Sequence, residues 1–291
     1  MRYALLLPVL ALALGTAPVV AQLSDAELQR TIGEAETNPS VLAHLQASNA
    51  ARLMRDYDTA REHLDAAWQA MGPVYNGFVG NQIMLELASG GGVIGAQRAF
   101  RELRDAFHMP PIIISNIAGN YPELLASGEF DDMVLEFSPD ATDPDYRCGC
   151  YNTVAWVHRL AGREEEAQAI WSTSADQEIQ DLATATPTPD VEAELRGQLA
   201  RNLARAGRHD EAREQLRMSM AMQVSEAALP SVRRRWAQAY AELDDVAGAV
   251  EHIEPLLEAN SLITVHTLES RVTWAHVRDD PAFQAMLDRH R

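Results

Sequence analysis

The 291-residue sequence contains no lysine. Its 24 basic residues are all arginine, set against 42 Asp and Glu, for a formal net charge of −18. So acidic a chain repels phosphate backbones and anionic headgroups, which argues against nucleic acid and anionic membrane surfaces as main partners. Cysteine is nearly absent, with only Cys148 and Cys150. No H-E-x-x-H spacing occurs among the nine histidines, and no G-x-S-x-G nucleophile elbow is present. No constellation of residues specifies an active site, so the sequence points to a non-enzyme with no cofactor. Long apolar runs are missing too, except at the N-terminus.

That exception reads as an export signal. Arg2 gives a positive start, Ala4–Leu14 an apolar core, and Val19-Val20-Ala21 a small-residue cleavage site, with Gln22 the first mature residue. The alternative is an uncleaved membrane anchor, since the apolar stretch approaches spanning length. Gly15, Pro18 and the small-residue end favour cleavage, and no cysteine follows to carry a lipid. The expectation is a periplasmic protein with no stable membrane insertion.

What the chain does contain is a recurring pattern. Ala60, Ala96, Met133, Ala167, Ala212 and Ala249 stand 36, 37, 34, 45 and 37 residues apart. A period in this range marks a stacked repeat array. Five residues before each anchor lie Arg55, Gly91, Gly128, Gly162, Gly207 and Asp244, mostly glycine, as a left-handed turn between two helices requires. Four residues after each anchor lie Leu64, Phe100, Phe137, Trp171, Leu216 and Ile253, all large and apolar. A small residue followed one helical turn later by a large one lets antiparallel helices approach and interlock. Each unit therefore reads as helix A, turn, helix B.

Segments such as Leu199–Ala212 and Val154–Ala167 resemble the tetratricopeptide repeat family, whose helix A ends in a glycine turn and whose helix B carries a small anchor. The likeness spans roughly residues 40–260 and is weakest at Met133, where Pro122 interrupts helix A. It implies an all-α, right-handed α-solenoid of about six units with capping helices. The implied division is a signal peptide at 1–21, a leading helix at 22–39, the array at 40–260 and a capping segment at 261–291. Ser24 and Glu27 form a capping-box pattern for the leading helix. At the other end Asp280-Pro281 can open a final helix with Phe283 and Leu287 on one face. The loop 183–190 is expected to account for the 45-residue gap, and 138–145 to form a second long loop.

Three motifs carry other chemistry. Gly90-Gly-Gly92-Val-Ile-Gly95 matches G-x-G-x-x-G, a dinucleotide fingerprint only if a strand precedes it. Here the preceding residues read helical and the glycines fall on a repeat turn. Cys148-Gly-Cys150 would close a small, strained disulfide, or supply a periplasmic thiol-redox or metal site. Met218, Met220 and Met222 offer thioethers of a kind that suits copper, but only Met218 and Met222 share a helical face.

The family resemblance further implies an inward wall of helix A residues on which partner peptides lie. Its positions fall on Asn49 and Arg52, Asn81, Asn152 and Arg159, Arg201 and Arg205, and Arg234 and Gln238, with only Ser115 in the third unit. Arginine grips carboxylates bidentately and an amide bonds backbone from both ends. The implied activity is non-catalytic protein binding, as a scaffold or adaptor in the bacterial cell envelope. Its partner would be another exported protein or peptide, offering an acidic segment or C-terminus. The competing reading is that these arginines pair with the chain's own acids.

Overall fold

The computed structural model describes residues 24–37, 39–70, 76–107, 109, 111–129, 131, 135, 150–259 and 261–291. Among them the regular structure is α-helix with short 3-10 turns, and there is no strand. The chain folds as two compact units that divide between Met109 and Pro110, with Asn260–Thr267 joining the N-terminal unit and Leu268–Arg291 the C-terminal one.

The N-terminal unit contains α1 (Asp25–Thr37), α2 (Val41–Leu53), α3 (Tyr57–Ala70), α4 (Asn76–Ala88) and α5 (Gly92–Phe107). α1 packs on α2, α2 on α3 and α4 on α5. The capping box forms as the sequence suggests: the Ser24 N–H donates to Glu27 Oε2 at 2.8 Å, and the Glu27 N–H to Ser24 Oγ at 3.4 Å. Ser40 caps α2 by accepting from the Ala43 N–H. Ala60 and Ala96 are fully buried, as are Leu64 and Phe100 one turn later.

The C-terminal unit begins with α6 (Pro111–Asn120) and a 3-10 turn at Pro122–Ser127. Then come α7 (Cys150–Leu160), α8 (Glu164–Thr184), α9 (Pro189–Arg205), α10 (His209–Met220), α11 (Leu229–Glu242) and α12 (Val246–Glu258). α7 pairs with α8, α9 with α10 and α11 with α12, while α9 also lies along α11. Ala167, Ala212 and Ala249 are fully buried, with Trp171, Leu216 and Ile253 beside them in the core. This is the paired-hairpin packing of a helical-repeat fold.

The turns explain the spacing. Gly162 and Gly207 both have φ 75°, Gly128 has 70°, and Arg55 and Asp244 take the same left-handed conformation at 61° and 56°. In four turns the hydrogen bonds repeat. The Gly207 N–H donates to Ala204 O (3.0 Å) and the Arg208 N–H to Leu203 O (2.9 Å), with equivalents at Gly162, Arg55 and Asp244. This paired closure satisfies the last carbonyls of helix A. Asp56 and Asp245 then cap the following helix, accepting from Thr59 and Gly248 N–H groups. The second repeat differs: the left-handed residues are Gly90 and Gly92, on either side of the expected Gly91.

Two further expectations change. α8 is 21 residues long and reaches Thr184, so the 45-residue gap comes mainly from an extended helix, leaving only 185–188 as loop. In the third repeat Pro122 removes an amide donor and helix A breaks after Asn120, its last turns becoming the 3-10 turn before Gly128. Met133, Phe137 and the loop 138–145 lie outside the described residues, as does the whole stretch 1–23.

The chain after α12 divides into three parts. Asn260–Thr267 belongs to the N-terminal unit. After α13 (Val265–Ser270), residues 271–279 form a 3-10 turn at Val272–Trp274 and further turns, packed on α11. α14 (Pro281–Arg289) follows, capped by Asp280 Oδ1 at 2.8 Å from the Ala282 N–H. It buries Phe283, Met286 and Leu287 and packs on α12.

Candidate binding face

The nine helix A residues predicted from the sequence gather into two groups, one in each unit. In the N-terminal unit Arg52 on α2 is buried. Its guanidinium donates to the Asn49 side chain, to Asn81 Oδ1 at 3.2 Å and to the Asn81 carbonyl at 3.3 Å. The three predicted residues therefore meet, and they bond one another.

In the C-terminal unit α9 and α11 align with an offset of 37 residues. Arg201 donates to Gln238 Oε1 (3.2 Å), Arg205 to Glu242 Oε1 (2.6 Å) and Ser231 Oγ to Glu194 Oε1 (2.8 Å). Gly197 makes this approach possible, because a Cβ there would lie 2.8 Å from Arg235 Cβ. α7 adds Asn152 and Arg159. Asn152 Nδ2 donates to the Gly119 carbonyl at 2.8 Å, and Asn152 Oδ1 accepts from Trp171 Nε1 at 3.2 Å and Arg205 at 3.4 Å.

The centre of this group is Glu242, which is not among the predicted residues. Its carboxylate takes Arg205 at 2.6 Å, Arg159 at 2.9 Å and His276 Nε2 at 3.3 Å. Burial alone would raise its pKa, but Arg205, His276 and Arg159 outweigh that and hold it well below the usual carboxylate range. The two guanidiniums also lie over the rings of Trp156 and Trp171, with Arg205 4.7 Å from the Trp156 centroid. For Arg159 and Arg205 the pairing with the chain's own acids is thus what the structure holds.

Arg201 and Arg234 differ. Both are partly exposed, and among the described residues neither forms an ion pair and their Nε–H groups have no acceptor. Burial, reinforced by Arg205 and Arg235, pulls Arg201 well below its ordinary value. Burial and then Arg235 bring Arg234 to about 10. Nearby Glu178 moves the opposite way: burial raises it against the opposing pull of Gln198, Arg201 and Asn202. Neither guanidinium has a carboxylate partner among the described residues and both are crowded by Arg235, so an added carboxylate at their exposed edges would relieve like-charge repulsion.

Glu242 was legible in principle, since it sits 37 residues after Arg205, in the same repeat phase. His276 comes from outside the array, where no phase exists to place it.

The other motifs resolve unevenly. Gly90–Gly95 follows helix α4, not a strand, and Glu86 Oε2 would stand 2.7 Å from a Cβ on Gly95, so a carboxylate fills the space beside the glycines. The three methionine sulfurs do not converge. Met218 accepts from Arg196 and Met220 from the Tyr240 hydroxyl, while Met222 packs against the core. Cys148 and the Cys150 side chain lie outside the described residues, as does the Ser115 side chain. Among the described residues no group of three His, Cys, Asp or Glu is arranged to hold a metal, and no helix is long and apolar enough to cross a membrane. No family model matches the chain, and a search of curated proteins gives no match.

Proposed function

We propose that this is an exported, tetratricopeptide-like repeat protein that binds another polypeptide and performs no catalysis. The face formed by α7, α9 and α11 would receive an acidic segment or C-terminus of an envelope protein, which the repeat array holds as a scaffold or adaptor. The observation that carries this reading is the pair Arg201 and Arg234: partly exposed guanidiniums with no ion pair among the described residues, on a chain with net charge −18. Five arginines (159, 201, 205, 234 and 235) face four glutamates (164, 178, 194 and 242) there, which leaves a small local excess of positive charge to steer an anionic segment. The test is capture from a periplasmic extract with Arg201→Glu and Arg234→Glu combined. Arg213→Glu, on the exposed side of α10, is the control. Capture should fall at least tenfold in the double variant and be kept in the control; undiminished capture by the folded double variant contradicts the reading. Arg205 is unsuitable for this test, because it holds Glu242.

A further inference from the structure

Residues 271–276 belong to no hairpin, yet the repeat helices hold them as they would hold a bound peptide. Arg271 Nε donates to Glu123 Oε1 at 3.1 Å and its terminal nitrogen to the Asn120 carbonyl at 2.9 Å. The guanidinium lies 5.8 Å from the centroid of Tyr121. The Val272 N–H donates to the same Glu123 oxygen at 3.1 Å. Trp274 is buried between α11 and Phe283, at 6.0 Å between ring centroids. His276 reaches Glu242. A carboxylate that binds one guanidinium and one backbone amide is reading a polypeptide, side chain and main chain together.

The receiving residues sit where the repeat pattern breaks. Glu123 is fully buried in the 3-10 turn that ends the broken helix A of the third repeat, directly after Pro122. Burial would lower the Arg271 pKa, but Glu123 and Tyr121 outweigh it and the net shift is upward, so the guanidinium is held as a cation. The degenerate third repeat therefore has a structural use: it presents a buried acid to a segment outside the array.

We propose that residues 271–276 are an intramolecular strap over part of the polypeptide-binding face. A partner segment of the same chemistry, a guanidinium followed three residues later by an indole, displaces it. The inference rests on the face binding polypeptide, and adds a basic-aromatic subsite at Glu123 beside the anionic one at Arg201 and Arg234. An identical segment offered in trans makes the same contacts, so exchange is limited mainly by the strap's effective concentration, on the order of millimolar for a short tether. Weakening the strap must then open the site to a free peptide.

The probe is a fluorescently labelled peptide with the sequence of residues 268–279, titrated by anisotropy into the full mature chain. Binding to Arg271→Ala should be at least tenfold tighter than to wild type, and should vanish when Glu123→Gln is added. Absence of binding to a folded Arg271→Ala protein overturns the proposal. Hydrogen exchange on wild type gives a second readout should the variant fail to fold. The Val272 and Trp274 amides should exchange through an opening that leaves α9 and α11 protected; exchange only together with those helices overturns the strap. Loss of peptide binding with retained Arg201- and Arg234-dependent capture would remove the strap alone and leave the binding function standing.

Discussion

Arg205 and Arg201 lie one helical turn apart on α9 and differ in everything that matters for a substitution. Arg205 is buried against Glu242, so Arg205→Ala strands a carboxylate in the interior and should cost about 3–5 kcal/mol in denaturant unfolding. Among the described residues Arg201 bonds only an amide, and Arg201→Ala should stay within about 1 kcal/mol of wild type. Equal losses would mean that the two arginines share one structural role. A second residue effect is acid sensitivity. His63 is buried with its Nδ1 3.0 Å from His44 Nδ1, and burial followed by His44 pushes its pKa below 6.5, against the opposing fields of Glu36 and Glu62. The unfolded chain then takes up the proton first as pH falls. This contribution to stability is present above about pH 6.5 and is lost as pH drops from there through the lowered folded-state value. The melting temperature of wild type should fall between about pH 7.5 and 5.5, and fall less in His63→Gln; identical slopes would count against the histidine pair. The helix A residues were legible because repeat phase fixes which side chains share a face. Arg271 and His276 were not, because residues 261–279 carry no period.

The turns between helices show how much one position of the repeat controls. Asp244 is exposed and adopts φ 56°, a conformation that costs a residue with a Cβ. Asp244→Gly should therefore stabilise the fold by about 0.5–1 kcal/mol, whereas Gly207→Ala, at φ 75°, should destabilise it by about 1–2 kcal/mol. Thermal melts of the two variants should move in opposite directions; shifts of the same sign would mean that the left-handed turn is not the controlling feature. Five of six turn residues were readable from the anchor spacing alone. The sixth failed because three consecutive glycines at 90–92 leave the backbone free to place its left-handed residues on either side of Gly91. α8 was misread for a different reason. Its C-terminal turns, ending Leu182-Ala-Thr184, are weakly polar and sit before a Thr-Pro-rich stretch, yet Ile179 and Leu182 pack on the core of α9–α11 and extend the helix. Tertiary contact decided the boundary where local composition pointed to a loop.

Across the chain, the fold follows from one pattern used repeatedly: a buried alanine, a large apolar residue one turn on, and a left-handed residue to reverse the chain. The same stacking lays α9 along α11, and side chains of α7 reach both, which collects charged residues from Arg159 through Glu242 onto one face. Much of that charge is neutralised internally at Glu242, and the C-terminal strap covers the part near Glu123. The proposed partner site is therefore the stretch around Arg201, Arg234 and Gln238. The most direct measurement is therefore the affinity of wild type and of the Arg201→Glu, Arg234→Glu variant for the polypeptide partner proposed above, with the melting temperature recorded beside it. The account requires affinity to drop at least tenfold with the melt unchanged. Equal affinity in the two proteins would contradict it and place the binding surface elsewhere.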